Sequence, residues 1–231
     1  NDWVGADFFA SHVVIPEDHR FDGNNGEEGF SGMYASSGKI PKHTVDLYFL
    51  ARNASRSAID EATSPQFPQP TARDIYTVGG RLKSKPGEVG RFDYLLDGAY
   101  QFGRFAPSLT AAAQRQDAFM FVAQGGYTLT NLWGKPRLGA EYAFGSGDND
   151  PTDGRHGTFE NLFPTNHKFY GYMDLFRWRN IIEGHVNVTQ RLASSRASLF
   201  AQGYAFFLEY AGGSWTNAVG ATLSNPTPGS S

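Results

Sequence analysis

Seven basic residues recur at corresponding positions of an alternating pattern, and their chemistry suits the binding of anions. A guanidinium holds a carboxylate through paired hydrogen bonds, and a ring of fixed cations in a pore selects anions. The candidates for binding an anion are Arg52, Arg73, Arg81, Lys83, Arg91, Arg137 and Arg191. We expect the last five to lie beside short turns at one mouth, and Arg52 and Arg73 to lie at the other end.

A purely structural role is the alternative interpretation of the same seven basic residues. Acidic residues occupy the same phase of the pattern, namely Asp46, Asp93, Asp97, Glu141 and Glu183. They would form a lattice of ion pairs that stabilises the wall of the protein instead of selecting a solute. The residues alone leave both roles open for each arginine, and the net charge of -3 is too small to identify a partner.

The stretch GDNDPTDG, residues 147–154, concentrates oxygen ligands. Asp148, Asp150 and Asp153 are candidate ligands for Ca²⁺, which prefers carboxylate oxygens. The spacing differs by one residue from that of a calcium-binding loop and lacks its distal glutamate. A solvated turn explains these residues more simply, and a Ca²⁺ site in an outer loop is the alternative.

Histidines raise the question of hydrolysis. His156, His167 and His185 are present, but no G-x-S-x-G nucleophile motif accompanies them. The chain has no cysteine, which excludes thiol catalysis, disulfides and cysteine-ligated zinc. We therefore predict that the protein is not an enzyme and needs no cofactor. His167 is expected to anchor the TNHKFYG loop, and His185 to form hydrogen bonds inside a lumen.

The elements that position these residues are predicted to be β-strands. In RFDYLLDGAYQFG, residues 91–103, aromatic residues occupy one face and mostly polar residues the other. The same period of two indicates nine strands, at about residues 4–10, 30–37, 44–52, 73–83, 91–103, 119–129, 137–144, 182–192 and 197–210. The 15% aromatic content, the 27 glycines and the low charged fraction of 19% also favour an all-β protein.

The lengths of the connections indicate which solvent meets the aromatic face. Long connections, at residues 15–28, 53–72, 104–116, 147–178 and from 211 onward, alternate with the short turns SSGKIPK, SKPGE, NLWGKP and ASSR. This alternation is typical of an antiparallel up-and-down transmembrane β-barrel and not of a soluble sandwich. No apolar run approaches the roughly 20 residues of a spanning helix. We therefore expect the aromatic face to meet lipid, with a soluble sandwich core as the alternative.

The segment GKPRLGAEYAFGSGDNDPTDGRHGTFENLFPTNHKFYGYMDLF, residues 134–176, closely resembles the alginate export family of outer-membrane β-barrels. The most specific part is DGRHGTFENLFPTNHKFYGYMDL, and the remainder is similar in strand order. The resemblance implies an 18-stranded barrel with an electropositive lumen for an anionic polysaccharide. With about nine strands and no closing strand before PTPGSS, residues 1–231 are expected to form a single partial barrel domain, the C-terminal half of such a barrel.

The function implied is passive export of an alginate-like polyuronate across the outer membrane of a Gram-negative bacterium. The expected partners are the anionic polysaccharide, membrane lipid and periplasmic proteins of an export complex, and no nucleic acid. Two alternatives stay open: a general porin for small solutes, and an outer-membrane enzyme of the lipase type. The enzyme would be revealed by a serine or histidine whose mutation abolishes ester hydrolysis.

Overall fold

The computed structural model describes residues 4–15, 19, 21, 23–55, 72–106, 110–162, 175–192, 197–217 and 222–224 of the chain. Within these residues the protein consists of strands and connections, without helices. A helix long and apolar enough to span a membrane is accordingly not found in this part of the chain.

The strands follow one another in a simple order. They are β1 (Gly5–Ile15), β2 (Gly23–Ser37), β3 (His43–Ala54), β4 (Arg73–Ser84), β5 (Phe92–Phe105), β6 (Gln114–Thr128), β7 (Arg137–Gly145), β8 (Arg155–His156), β9 (Ile181–Arg191), β10 (Ser198–Leu208), β11 (Trp215–Thr216) and β12 (Thr222–Ser224). The long strands form one antiparallel up-and-down sheet in the order β1-β2-β3-β4-β5-β6-β7-β9-β10. The short β8 lies parallel to β6, and β11 and β12 form a separate pair. Each of the nine predicted segments forms a strand, and in the described residues the sheet is open at β1 and β10.

The first connection differs from the prediction. β2 begins at Gly23 and not near Phe30, so the connection that follows β1 occupies residues 16–22 instead of 15–28. The reason is that Gly23, Asn24 and Asn25 extend the ladder with β1 past a register shift between His12 and Val13. The connection at 106–113 is also shorter than the predicted 104–116. The connections at residues 55–72 and 146–180 therefore account for most of the difference in length between the long and the short connections.

The two faces of the sheet differ sharply in polarity. Phe8, Met33, Phe49, Val78, Tyr100 and Phe119 lie in register across the first six strands. All six side chains are exposed. We call this side the outer face. A continuous exposed apolar row of this kind is typical of a surface that meets lipid or another apolar partner.

The buried core lies on the opposite side, which we call the inner face. Small side chains of the strands, including Ala99, Ala118 and Ala143, pack here against Phe159 and Trp178. The two aromatic residues belong to the connection between β7 and β9. The described parts of that connection, residues 146–162 and 175–180, are called the inner loop below. The short alanine side chains leave the space that the two rings fill.

Candidate functional site

The inner face and the inner loop together form the candidate site, because they combine buried polar side chains with accessible cations. On β3, β4 and β5 the inner positions place Asp46, Arg81 and Asp97 side by side in register. Further along the same strands, the inner positions are occupied by Arg52, Thr77 and Gln101, all of which are buried. The period-two pattern therefore places charged and amide groups along one surface, as a solute pathway requires.

Side chains on the inner face of the sheet donate hydrogen bonds to backbone carbonyls of the inner loop. Gln101 Nε2 donates to the carbonyl oxygen of Glu160 at 2.8 Å, and Gln116 Nε2 donates to that of Thr158 at 3.1 Å. Arg52 Nη1 donates to the carbonyl oxygen of Leu162 at 2.8 Å. These bonds satisfy carbonyls in a segment without regular secondary structure, where unpaired polar groups would be costly.

The ends of the inner loop are fixed close together. Trp178 Nε1 donates to the carbonyl oxygen of Phe144 at 3.0 Å, and the backbone nitrogen of Asn180 donates to that of Ser146 at 3.2 Å. Gly145 permits this approach, since a Cβ at that position would lie 2.8 Å from Trp178 Cδ1. The inner loop therefore returns to the sheet next to the strand that it left.

Glu160 is the centre of a charged cluster in the inner loop. Its carboxylate lies 3.1 Å from Arg179 Nη2, 3.3 Å from His156 Nε2 and 3.9 Å from Arg177 Nη2. Burial opposes ionisation of this carboxyl, but the arginine charges and the histidine hydrogen bond outweigh that effect and hold its pKa well below the ordinary value. The charged Glu160 carboxylate therefore holds the two described parts of the inner loop together, since His156 lies in one part and Arg177 and Arg179 lie in the other.

Arg52 and Arg73, which were predicted to lie at the end of the sheet away from the short turns, are both buried. Arg52 is 1% exposed and forms an ion pair with Glu28, which is equally buried. Arg73 is 2% exposed, and its guanidinium carbon lies 5.6 Å from the centre of the Phe105 ring. These buried positions suit a role in stabilising the sheet, since a passing polymer would not reach either guanidinium.

The predicted cations beside the short turns remain accessible. Arg81 Nε donates to Asp46 Oδ2 at 2.8 Å, and Lys83 Nζ lies 3.8 Å from the same oxygen. Arg137 Nε donates to Asp93 Oδ2 at 2.8 Å. The side chains of Arg81, Lys83 and Arg137 are 25%, 41% and 31% exposed. The cations therefore combine ion pairing in the wall with exposure to solvent on the inner face.

Arg191 and Arg91 occupy the same end of the sheet in different ways. Arg191 is exposed at the end of β9, at an inner position. Arg91 belongs to the turn before β5, and its guanidinium donates to the hydroxyl of Tyr127 at 3.3 Å and to Asn131 Oδ1 at 3.4 Å. Tyr127 pairs with Phe92 at an outer position, so the Arg91 guanidinium lies at the rim of the sheet.

The aspartates of residues 147–154 cap turns. Asp150 Oδ1 accepts from the backbone nitrogen and the hydroxyl of Thr152, and this hydrogen bonding lowers the pKa of Asp150. Asp153 Oδ1 accepts from the backbone nitrogen of Arg155, and Asp148 Oδ1 from that of Asp150. Within the described ranges the three carboxylates do not come together as a metal-binding group. Ca²⁺ binding by this stretch stays a prediction.

Two of the three histidines that raise the question of hydrolysis, His156 and His185, lie among the described residues. His156 stacks on Phe105, with ring centres 4.1 Å apart, and contacts Glu160, whereas His185 Nδ1 lies 2.8 Å from Glu183 Oε1. His167 lies outside the described residues. Both described rings have carboxylate partners on the inner side of the sheet.

Sequence reasoning did not identify Arg177, Arg179 and Glu160 as parts of the site. They lie in the predicted connection 147–178 or next to it, which was predicted only as a long connection between two strands. The available signal was the RWR triplet at 177–179, which places two arginines around a tryptophan at the end of the connection. Amphipathic residues of this kind suit a segment that packs against a wall.

Comparison with known proteins identifies the family. The family model described as alginate export matches residues 2–230. No curated protein matches the chain. The alginate export family consists of outer-membrane transport proteins of Gram-negative bacteria. Because the match covers essentially the whole chain and the structure is an all-β antiparallel sheet with an apolar and a polar face, this protein belongs to the alginate export family.

Proposed function

We propose that this protein is an outer-membrane channel through which an anionic exopolysaccharide of the polyuronate type leaves the cell passively. The outer face would meet membrane lipid, and the inner face would line the lumen. An open strand edge in hydrocarbon would leave backbone N–H and C=O groups unpaired, and each unpaired group costs several kcal/mol. This function therefore requires the sheet to be part of a closed barrel, for which the family resemblance implies 18 strands.

The observation that carries the proposal is the set of accessible cations beside the short turns. Arg81, Lys83, Arg137 and Arg191 occupy inner positions of three strands and stay in contact with solvent. Each uronate unit of a polymer carries one carboxylate, which a guanidinium or ammonium attracts at short range. Since Asp46 and Asp93 neutralise part of this charge, the polymer would be attracted without being held so tightly that it cannot leave.

A porin for small solutes is the second candidate function, and the inner loop is the observation that favours it. The loop covers part of the inner face, and a cavity of about 360 Å³ between them is lined by Tyr48, Met120, Phe159 and Trp178 among others. A segment fixed inside a lumen narrows it, which suits small solutes better than a polymer unless the loop can move.

The two functions differ in the size and charge of what passes. The full-length protein would be reconstituted into liposomes, and the release of an oligouronate would be compared with that of a neutral oligosaccharide of equal length. Export of a polyanion predicts faster passage of the oligouronate, with the difference shrinking as salt is added. Equal rates for both oligomers, or passage of monomers alone, would support the porin instead. Periplasmic export proteins are further proposed partners, and passage itself needs no cofactor.

A further inference from the structure

A second group of ionisable side chains lies on the inner face, apart from the cluster around Glu160. Glu141 on β7 and Glu183 and His185 on β9 are all buried. One ligand atom from each of them lies within 4.8 Å of the other two. Glu141 pairs in register with His185 across the two strands, so the ladder itself holds the group together.

The carboxylate of Glu183 supplies an independent observation. This residue is 0% exposed, and its Oε1 lies 2.8 Å from His185 Nδ1. Its Oε2 is buried and has no hydrogen-bond partner within the part of the chain that the structure describes. A buried carboxylate oxygen left in this state is unfavourable, and the nearby carboxylate of Glu141 adds repulsion. A cation bound between the two carboxylates would relieve both costs.

We propose that Glu141, Glu183 and His185 form a binding site for a divalent transition-metal cation, with Zn²⁺ as the representative. Two carboxylates and one imidazole provide the mixed oxygen and nitrogen ligands that Zn²⁺ and its neighbours accept. Ca²⁺ and Mg²⁺ prefer sites made of oxygen alone, often with more ligands. The donor set therefore separates this site from the aspartate-rich stretch at residues 147–154.

Neighbouring side chains orient the ligands. Gln124 Nε2 donates to Glu141 Oε2, and the ring of Tyr204 packs against that of His185 with ring centres 4.8 Å apart. Such contacts fix the direction of a ligand atom before the metal arrives, which supports affinity. The site also lies near the ends of the inner loop, because β7 ends at Gly145 and β9 begins at Ile181. A bound cation would therefore tie together the two strands between which the inner loop leaves and returns.

The test uses metal-free full-length protein in detergent, titrated with Zn²⁺ by calorimetry, and the metal content is measured after desalting. We expect one Zn²⁺ per chain, and affinity lower by about 100-fold or more in Glu183→Gln and in His185→Gln. His12→Gln on β1, where the histidine is exposed, is the control for adventitious binding and should keep the affinity. Co²⁺ in place of Zn²⁺ should give the visible absorption of a coordinated ion in the wild type and not in Glu183→Gln.

Thermal unfolding separates a lost site from a lost fold. Zn²⁺ should raise the Tm of the wild type and of His12→Gln in a concentration-dependent way, since a ligand that binds the folded state stabilises it. Metal-free Glu183→Gln should melt at or above the temperature of metal-free wild type and show no shift with Zn²⁺. Absence of saturable Zn²⁺ binding to the wild type would overturn the proposal, as would unchanged affinity in folded Glu183→Gln and His185→Gln.

Discussion

Gln101 and Glu160 hold each other by two reciprocal hydrogen bonds across 59 residues of sequence. Gln101 Nε2 donates to the carbonyl oxygen of Glu160 at 2.8 Å, and the backbone nitrogen of Glu160 donates to Gln101 Oε1 at 2.8 Å. One amide side chain of β5 thus satisfies both backbone groups of a loop residue. Because Gln101 is fully buried, water cannot easily replace either bond.

The first prediction concerns this pair. Gln101→Leu should destabilise the protein by about 1–3 kcal/mol, because it leaves a buried donor and a buried acceptor of Glu160 without partners. Hydrogen exchange of the amides at residues 158–162 should become faster, which reports release of the inner loop. Gln114→Leu is the matched control, since Gln114 lies on the neighbouring strand and its bond to Pro151 is exposed. Equal exchange in both variants would mean that Gln101 does not hold the loop.

The second prediction concerns pH. The pKa of Glu160 is held well below its ordinary value, so its ionised form stabilises the fold. That contribution is complete above the unfolded-state pKa of about 4.3 and is lost as pH falls through the lower folded-state value. The wild type should therefore exceed Glu160→Gln in free energy of unfolding at neutral pH, and the difference should shrink progressively as pH falls below about 4.3. Denaturant titrations over this range measure it, and a difference that is independent of pH would contradict the assignment.

The strands could be predicted from the sequence because their signal is local. Alternation along RFDYLLDGAYQFG depends on neighbouring residues only, and β5 indeed covers Phe92–Phe105. The first part of β2 was missed, since NNGEEG has little intrinsic preference for strands and its pairing depends on the strands on either side. The family was also recognised correctly, from the residues of one segment.

The inner loop could not be predicted for a different reason. Its position is determined by contacts with residues far away in the sequence, such as Gln101 and Gln116, and no periodic pattern records them. The charge pattern identified Arg52 and Arg81 as members of one face but not their difference in exposure. That difference arises because the inner loop covers the end of the wall where Arg52 lies.

The third prediction concerns the buried ion pair of Arg52 and Glu28. Glu28→Gln should destabilise the protein by about 3–5 kcal/mol, because it leaves the Arg52 charge buried beside a neutral amide. The double variant Glu28→Leu/Arg52→Met should recover much of that loss, since it removes both charges together. Denaturant unfolding in detergent measures both effects. A double variant as unstable as the single one would show that Arg52 stabilises the fold through contacts other than the ion pair, such as its bond to the Leu162 carbonyl.

The fourth prediction concerns the outer face. Spin labels at Phe119 and Val186, which are 52% and 66% exposed, should be relaxed strongly by lipid-soluble oxygen and weakly by a water-soluble nickel complex. A label at Lys83 on the inner face should show the reverse order of accessibility. The reason is that successive residues of a barrel strand point to lipid and to the lumen in turn. Similar oxygen accessibility at all three sites would exclude a membrane wall.

The fifth prediction concerns charge selectivity and uses the most accessible inner cations. The double variant Lys83→Glu/Arg191→Glu should reduce or reverse the preference for small anions in single-channel recordings of the full-length protein, because it reverses two charges on the inner face beside the short turns. The preference of the wild type should weaken as salt rises, since charges in a watery lumen are screened over about 8 Å at physiological ionic strength. Lys135→Glu, in the turn between β6 and β7, is the control at the same end of the sheet and should have a smaller effect. If the double variant instead lowers stability and leaves selectivity unchanged, these residues belong to an ion-pair lattice, and attraction of a polyanion by this part of the inner face is refuted.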